Sequence, residues 1–197
     1  MKHCMLDIET LATGRDAAIK SIGALLFDPK AGTVMDPRDS RAFYRVISLE
    51  KSRSPGVIDP ATVSWWMGQS QEARDSLFGP EATAQAIELE QALAHFTLWV
   101  ETHGVEKVWS NGPLFDERLM REAAERNGLP HPFHYRASRC FRTASEFAEA
   151  GGVDLKKLHK ELKAKRPAGH VAHKAIDDCW SQAIAVCEFY RLLNLKD

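Results

Sequence analysis

The chain has 197 residues, 44% of them hydrophobic, and sets 26 Lys and Arg against 27 Asp and Glu. That length suits one globular domain, residues 1–197, with a sizeable core, and the charged fraction of 27% with five Trp and nine Phe excludes a disordered chain. No apolar run approaches the roughly 20 residues that cross a bilayer, and a formal net charge of −1 excludes a bulk polycation without excluding a local basic site.

The first 50 residues read as strands. Cys4 to Ile8 is apolar apart from Asp7, Ala17 to Phe27 is a second β-rich stretch closed by Asp28-Pro29, and Ala42 to Ile47 makes a third. Short connections favour an antiparallel meander. Asp59-Pro60 then signals a helix start, with Asp as N-cap and Pro at the first position. Ala84 to Thr102 carries Leu89, Leu93, Phe96 and Val100 on one helical stripe, ended by Gly104. Val105 to Trp109 reads as a strand, Ser110 to Pro113 as a turn, and Phe115 to Asn127 as a helix capped by Gly128. Arg136 to Phe141 is a candidate last strand; helices follow at Arg142–Ala150, Leu155–Lys165 and about Lys174–Leu193. Strands first, then alternating helix and strand, predict an α/β fold with a mixed sheet flanked by helices.

Met1-Lys2-His3 leads straight into the first strand rather than into a signal-peptide core. Cys4, Cys140, Cys179 and Cys187 form no C-x-x-C pair. Reduced thiols and a cytoplasmic location are the expectation.

The chemistry sits in acids where the pattern wants apolar residues. A strand places Asp7 and Glu9 on the same face as Met5. Two neighbouring carboxylates repel each other and resist desolvation; a divalent cation resolves both, whereas an edge strand would leave them solvated. Asp116 precedes Leu119, Met120 and Ala123 at helical spacings, so it lies on their apolar face, while Glu117 and Glu122 point to Arg121 and Arg126. In the last helix Asp177 falls in line with Ser181 and Glu188, and Asp178 with Ala185 and Phe189. Asp177 is therefore expected in solvent and Asp178 buried. His173, on the loop just before this helix, is placed to act as a general base.

Leu6-Asp7-Ile8-Glu9-Thr10, Ser110 to Asp116 and His173 to Asp178 resemble, in order and in context, the three exonuclease motifs of the DEDDh superfamily. Within it the chain is similar to the bacterial and prophage 3'→5' exoribonuclease-like group over nearly its whole length, with Ser21 to Ala24, Trp65-Trp66 and Arg139 to Thr143 as further likeness. Relatives commonly carry an acid where this chain has Cys140. The resemblance implies an RNase H-like fold, with antiparallel first strands and then parallel ones. It also implies removal of nucleotides from a 3' end as nucleoside 5'-monophosphates. Asp7, Glu9, Asp116 and Asp178 would hold two divalent cations, Mg²⁺ or Mn²⁺, and His173 would take the proton of the attacking water.

The expected partner is a single-stranded 3' end, RNA favoured over DNA; a homodimer is compatible with the family, and no membrane partner is expected. An exodeoxyribonuclease and a nuclease-like binding module without catalysis are the alternatives. Candidate substrate contacts are Thr10, Leu11, Asn111, Trp66 and Arg139. The six basic residues between Lys156 and Arg166 either steer a phosphate backbone or form a solvated helix face. The His131/His134 and His170/His173 spacings invite zinc, but neither has Cys ligands nearby.

Overall fold

A computed structural model describes residues 1–195; the last two residues of the expected 1–197 domain lie outside the described residues. An apolar run, Cys4 to Leu6, followed by alternation through Asp7, Ile8 and Glu9 makes β1 (His3–Thr10), which pairs antiparallel with β2 (Ile19–Asp28). The far edge of β2 is shared by the two-residue β3 (Thr33–Val34) and by β4 (Phe43–Val46), both antiparallel. The short helices α1 (Pro60–Met67), α2 (Gln71–Phe78) and α3 (Pro80–Gln85) follow, and then α4 (Leu89–Thr102). β5 (Lys107–Ser110) returns parallel to β1, α5 (Asp116–Arg126) crosses over, and β6 (Ser138–Cys140) pairs parallel with β5. The chain finishes with α6 (Phe141–Ala150), α7 (Leu155–Ala164) and α8 (Ala175–Leu192). The sheet order β3-β2-β1-β5-β6 is the expected mixed arrangement, with β1 central.

The expected helix over 84–102 begins only at Leu89. Ile87 is instead held extended beside Ile47, its amide donating to the Val46 carbonyl and its carbonyl accepting from Ser48. Helical propensity yields here to sheet pairing. The Asp59 cap is formed as expected, accepting from the amides of Ala61 and Thr62 at 3.2 and 3.3 Å.

Asp7 and Glu9 face α8, as the Gln182 contact to Asp7 shows, and α8 packs across β1 and β2. Gly23, opposite Asp7 in the β1–β2 register, permits that approach. A Cβ on Gly23 would lie 2.5 Å from the Ile176 nitrogen and 2.6 Å from the Ala175 carbonyl carbon, inside contact distance. The first turn of α8 can therefore sit directly on the sheet. α7 docks through Leu158 and Leu162 onto a small core with Ala185 and Phe189 of α8, each buried Leu contributing about 1.5–3 kcal/mol, and leaves its lysines in solvent. Among the described residues no helix is long and apolar enough to cross a membrane.

Candidate active site

Four acids converge from three elements. β1 supplies Asp7 and Glu9, the first turn of α5 supplies Asp116, and the first turn of α8 supplies Asp178. A register irregularity between Glu9 and Thr10 ends regular pairing just beside Glu9. Asp116 is buried, and its Oδ1 accepts from the Ile8 amide at 3.3 Å, which ties α5 to β1. Asp178 Oδ2 accepts from the His173 amide at 3.0 Å. Asp7 Oδ1 accepts from Gln182 Nε2 at 3.0 Å.

These carboxyls repel one another. Burial, then the charges of Asp116, Glu9 and Asp178, push Asp7 well above the usual carboxylate range, and the Gln182 amide opposes this only in part. Glu9 is pushed up to about 9 by burial and by Asp178 and Asp116. Burial raises Asp116 to about 6 against the Ile8 amide and the charge of Arg142. Asp178 is also raised by burial, opposed by the amide and charge of His173 and by Arg166. Four carboxylates whose mutual repulsion these cations offset only in part offer the oxygen donors a hard divalent cation takes, so the residues fit such an ion.

His173 adopts φ 61°. A left-handed histidine is tolerated at a cost of about 1–3 kcal/mol where neighbours fix it. Here ligand atoms of Glu9, His173 and Asp178 all lie within 4.8 Å of one another. The imidazole meets the edges of Trp65 and Trp66, with ring centroids at 5.2 and 6.5 Å. Beside it opens a cleft of about 510 Å³ lined by Glu9, Thr10, Thr13, Thr62, Trp65 and Phe115.

One expectation is corrected. Asp177 is not solvated: it is 2% exposed, because the loop before α8 covers the polar stripe that phase placed outside. Its Oδ2 accepts from the Val171 amide at 3.1 Å, and its Oδ1 lies 3.8 Å from Arg38 Nη1. Trp66, 2% exposed, donates its indole N–H to the Thr10 carbonyl at 2.9 Å and packs as core in the cleft wall, where Trp65, 48% exposed, presents the more open ring. Leu11 is buried with Ala18 and Trp66. Arg139 donates to the Arg136 and Ser138 carbonyls at 3.0 and 2.8 Å and carries its charge toward His3. Arg142, whose guanidinium carbon would be 3.8 Å from a Cβ on Gly112, is the one turned to Asp116.

Thr10 lines the cleft, with its hydroxyl donating to the Ala12 carbonyl at 2.7 Å, and Asn111 lies partly exposed in the turn before α5. Cys140 caps α6, its Sγ accepting from the Thr143 amide at 3.5 Å, a weaker bond than a carboxylate would make. His131 is pushed down to about 4 by burial, and His170 Nε2 lies 2.9 Å from Ser181 Oγ. Among the described residues the one metal-competent group contains Glu9, His173 and Asp178, and neither H-x-x-H pair joins in it. Gln182 was legible, one turn after Asp178; Arg38, in a loop remote from every motif, carried no signal.

A family described as the 3'-5' exoribonuclease Rv2179c-like domain matches residues 2–190. An exodeoxyribonuclease of Enterobacteria phage T4 is 25% identical over 135 residues, 64% of this chain and 58% of that protein, so the match spans little more than half of that relative. Exonuclease X in complex with 5' overhanging duplex DNA is structurally similar with a TM-score of 0.61 at 16% identity, covering 98% of this chain and 94% of the other. The nuclease domain of 3'hExo, a DEDDh member bound to rAMP, gives 0.60 at 14% identity, with 98% and 94% covered. E. coli exonuclease I with a dT13 oligonucleotide gives 0.64 at 16%, covering 98% of this chain and 42% of that one. These likenesses establish the RNase H-like fold.

Proposed function

We propose, from the premise that the chain belongs to the Rv2179c-like 3'-5' exoribonuclease domain family, that it hydrolyses single-stranded nucleic acid from the 3' end and releases nucleoside 5'-monophosphates. RNA is the favoured substrate, and the enzyme works as a single domain in the cytoplasm; a homodimer is compatible with the family. The observation that carries this is the meeting of Asp7, Glu9, Asp116 and Asp178 with His173 at the mouth of a cleft.

Asp7, Glu9, Asp116 and Asp178 would hold divalent cations, Mg²⁺ or Mn²⁺, which supply charge stabilisation for the phosphate and favour ionisation of water. His173, fixed through its amide by Asp178, accepts the proton of the attacking water at its imidazole nitrogen. Trp65 offers a face on which the terminal base can stack, and Thr13 and Thr62 offer hydroxyls to the sugar. A 2'-hydroxyl is the group that separates RNA from DNA, and these polar groups are where it would be met. Arg142 sets a cation beside the acid cluster for a backbone phosphate, and the exposed lysines of α7 steer the strand.

The test is a time course on 5'-labelled single-stranded RNA and DNA with Mg²⁺, Mn²⁺ or chelator. A ladder that shrinks from the 3' end only with metal, faster on RNA, is expected. Faster digestion of DNA would favour the exodeoxyribonuclease reading that the phage relative supports. Internal cuts, or binding without cleavage, would overturn exonucleolysis.

A further inference from the structure

The loop from Arg166 to His173 carries the general base of the proposed reaction, yet its own backbone is irregular. Gly169 and His173 both have positive φ, and the His170 amide closes a turn onto the Pro167 carbonyl at 3.1 Å. Something must hold this loop against α8. Arg38 does so from a separate part of the chain: its Nη2 donates to the Ala168 carbonyl at 2.6 Å while Nη1 faces Asp177 Oδ1 at 3.8 Å. Asp177 relays the hold, because its other oxygen accepts from Val171 and its carbonyl oxygen lies 3.1 Å from His170 Nε2.

Arg38 is itself held. Its amide donates to Asp36 Oδ1 at 2.8 Å, Asp39 closes a turn onto the Asp36 carbonyl at 3.0 Å, and Met35 is hydrogen-bonded to the Leu26 carbonyl of β2. The guanidinium is thus presented by a loop anchored to the sheet that carries Asp7 and Glu9. Asp177 is 2% exposed, so its carboxylate has few other ways to be satisfied.

We propose that Arg38 is a positioning residue, acting through Asp177 and Ala168 to fix His173 over the acid cluster. This rests on the exonuclease function proposed above. The guanidinium suits the task because its rigid planar fork spans two separated acceptors, whereas an ammonium is a compact point charge.

Hydrogen exchange of a peptide covering 166–175 tests the geometry without reference to catalysis. Arg38→Ala should speed exchange of the Val171 and His173 amides while the β1 and β2 amides keep their wild-type rates. With the substrate that the wild type degrades, kcat should fall about 10- to 100-fold with KM within about twofold, the signature of a misplaced catalytic group. Arg38→Lys should recover part of kcat. Arg38→Ala and Asp177→Asn together should lose less than the product of their separate losses, because both cut the same link. Unchanged exchange over 166–175, or a loss seen in KM alone, would overturn the role of Arg38. Should the wild type degrade neither RNA nor DNA, the proposed function falls, and the exchange rates still decide whether Arg38 holds the loop.

Discussion

Glu9→Gln should stabilise the metal-free protein, although it removes a candidate ligand. Glu9 sits at about 9 against an ordinary 4.5, because burial and the charges of Asp178 and Asp116 disfavour its ionised form. Between those two values the folded chain retains a proton that the unfolded chain has released, so stability falls as pH rises through the window. At pH 7 the penalty is about 3 kcal/mol, from about 1.4 kcal/mol per pH unit above 4.5. Glutamine keeps the shape and removes the titration. In chelator at neutral pH the variant should melt higher, by up to about 5–10 °C for a chain of this size. The gain should vanish near pH 4.5 and grow toward pH 9. Mg²⁺ should raise the wild-type Tm and raise that of Glu9→Gln much less. Scanning calorimetry across pH, with and without Mg²⁺, measures all of this. A variant that melts lower than wild type in chelator at both ends of the range would refute electrostatic strain at Glu9.

His173→Asn, chosen because asparagine tolerates positive φ, should lower kcat by about 100-fold or more and leave the Mg²⁺-induced rise in Tm in place. Loss of both would make His173 part of the metal site rather than the base. Gly23→Ala should destabilise by about 1–3 kcal/mol in denaturant titration, since its Cβ would meet the backbone of Ala175 and Ile176; wild-type stability and activity together would show that α8 tolerates the shift. Trp65→Ala should raise KM about tenfold with little change in Tm, while Trp66→Ala should cost about 3–5 kcal/mol of stability. The opposite pattern would assign the stacking face to the wrong ring.

Much of this site was legible in the sequence because buried acids break a hydrophobic pattern. Asp7, Glu9 and Asp116 stood out in this way, and the structure brings them together with Asp178. Asp178 was selected over Asp177 by helical phase, yet the supposed exposure of Asp177 did not hold. Phase tells which side of a helix a residue takes, not what covers that side, and here the cover is a loop with Arg38 behind it. Trp66 and Trp65 pose the same problem in miniature: adjacency says that they diverge, and only the Thr10 carbonyl decides which ring turns inward. Arg139 turns back onto its own backbone and Arg142 toward Asp116, because β6 ends at Cys140 and the chain changes direction into α6. The break in the 84–102 helix at Ile87 depended on a bridge to Ile47, a long-range contact that local propensity cannot register.

The hydrogen bond between Gln182 and Asp7 joins positions 175 residues apart. Asp7 and Glu9 are fixed by the β1–β2 pairing, but Asp178 reaches them only when α8 docks across both strands. A chain in which α8 has not docked therefore carries an incomplete set of acids and no seated His173 loop. The cluster is complete only after α8 has settled over Gly23. The seating of one helix thus decides whether the four acids form a site at all.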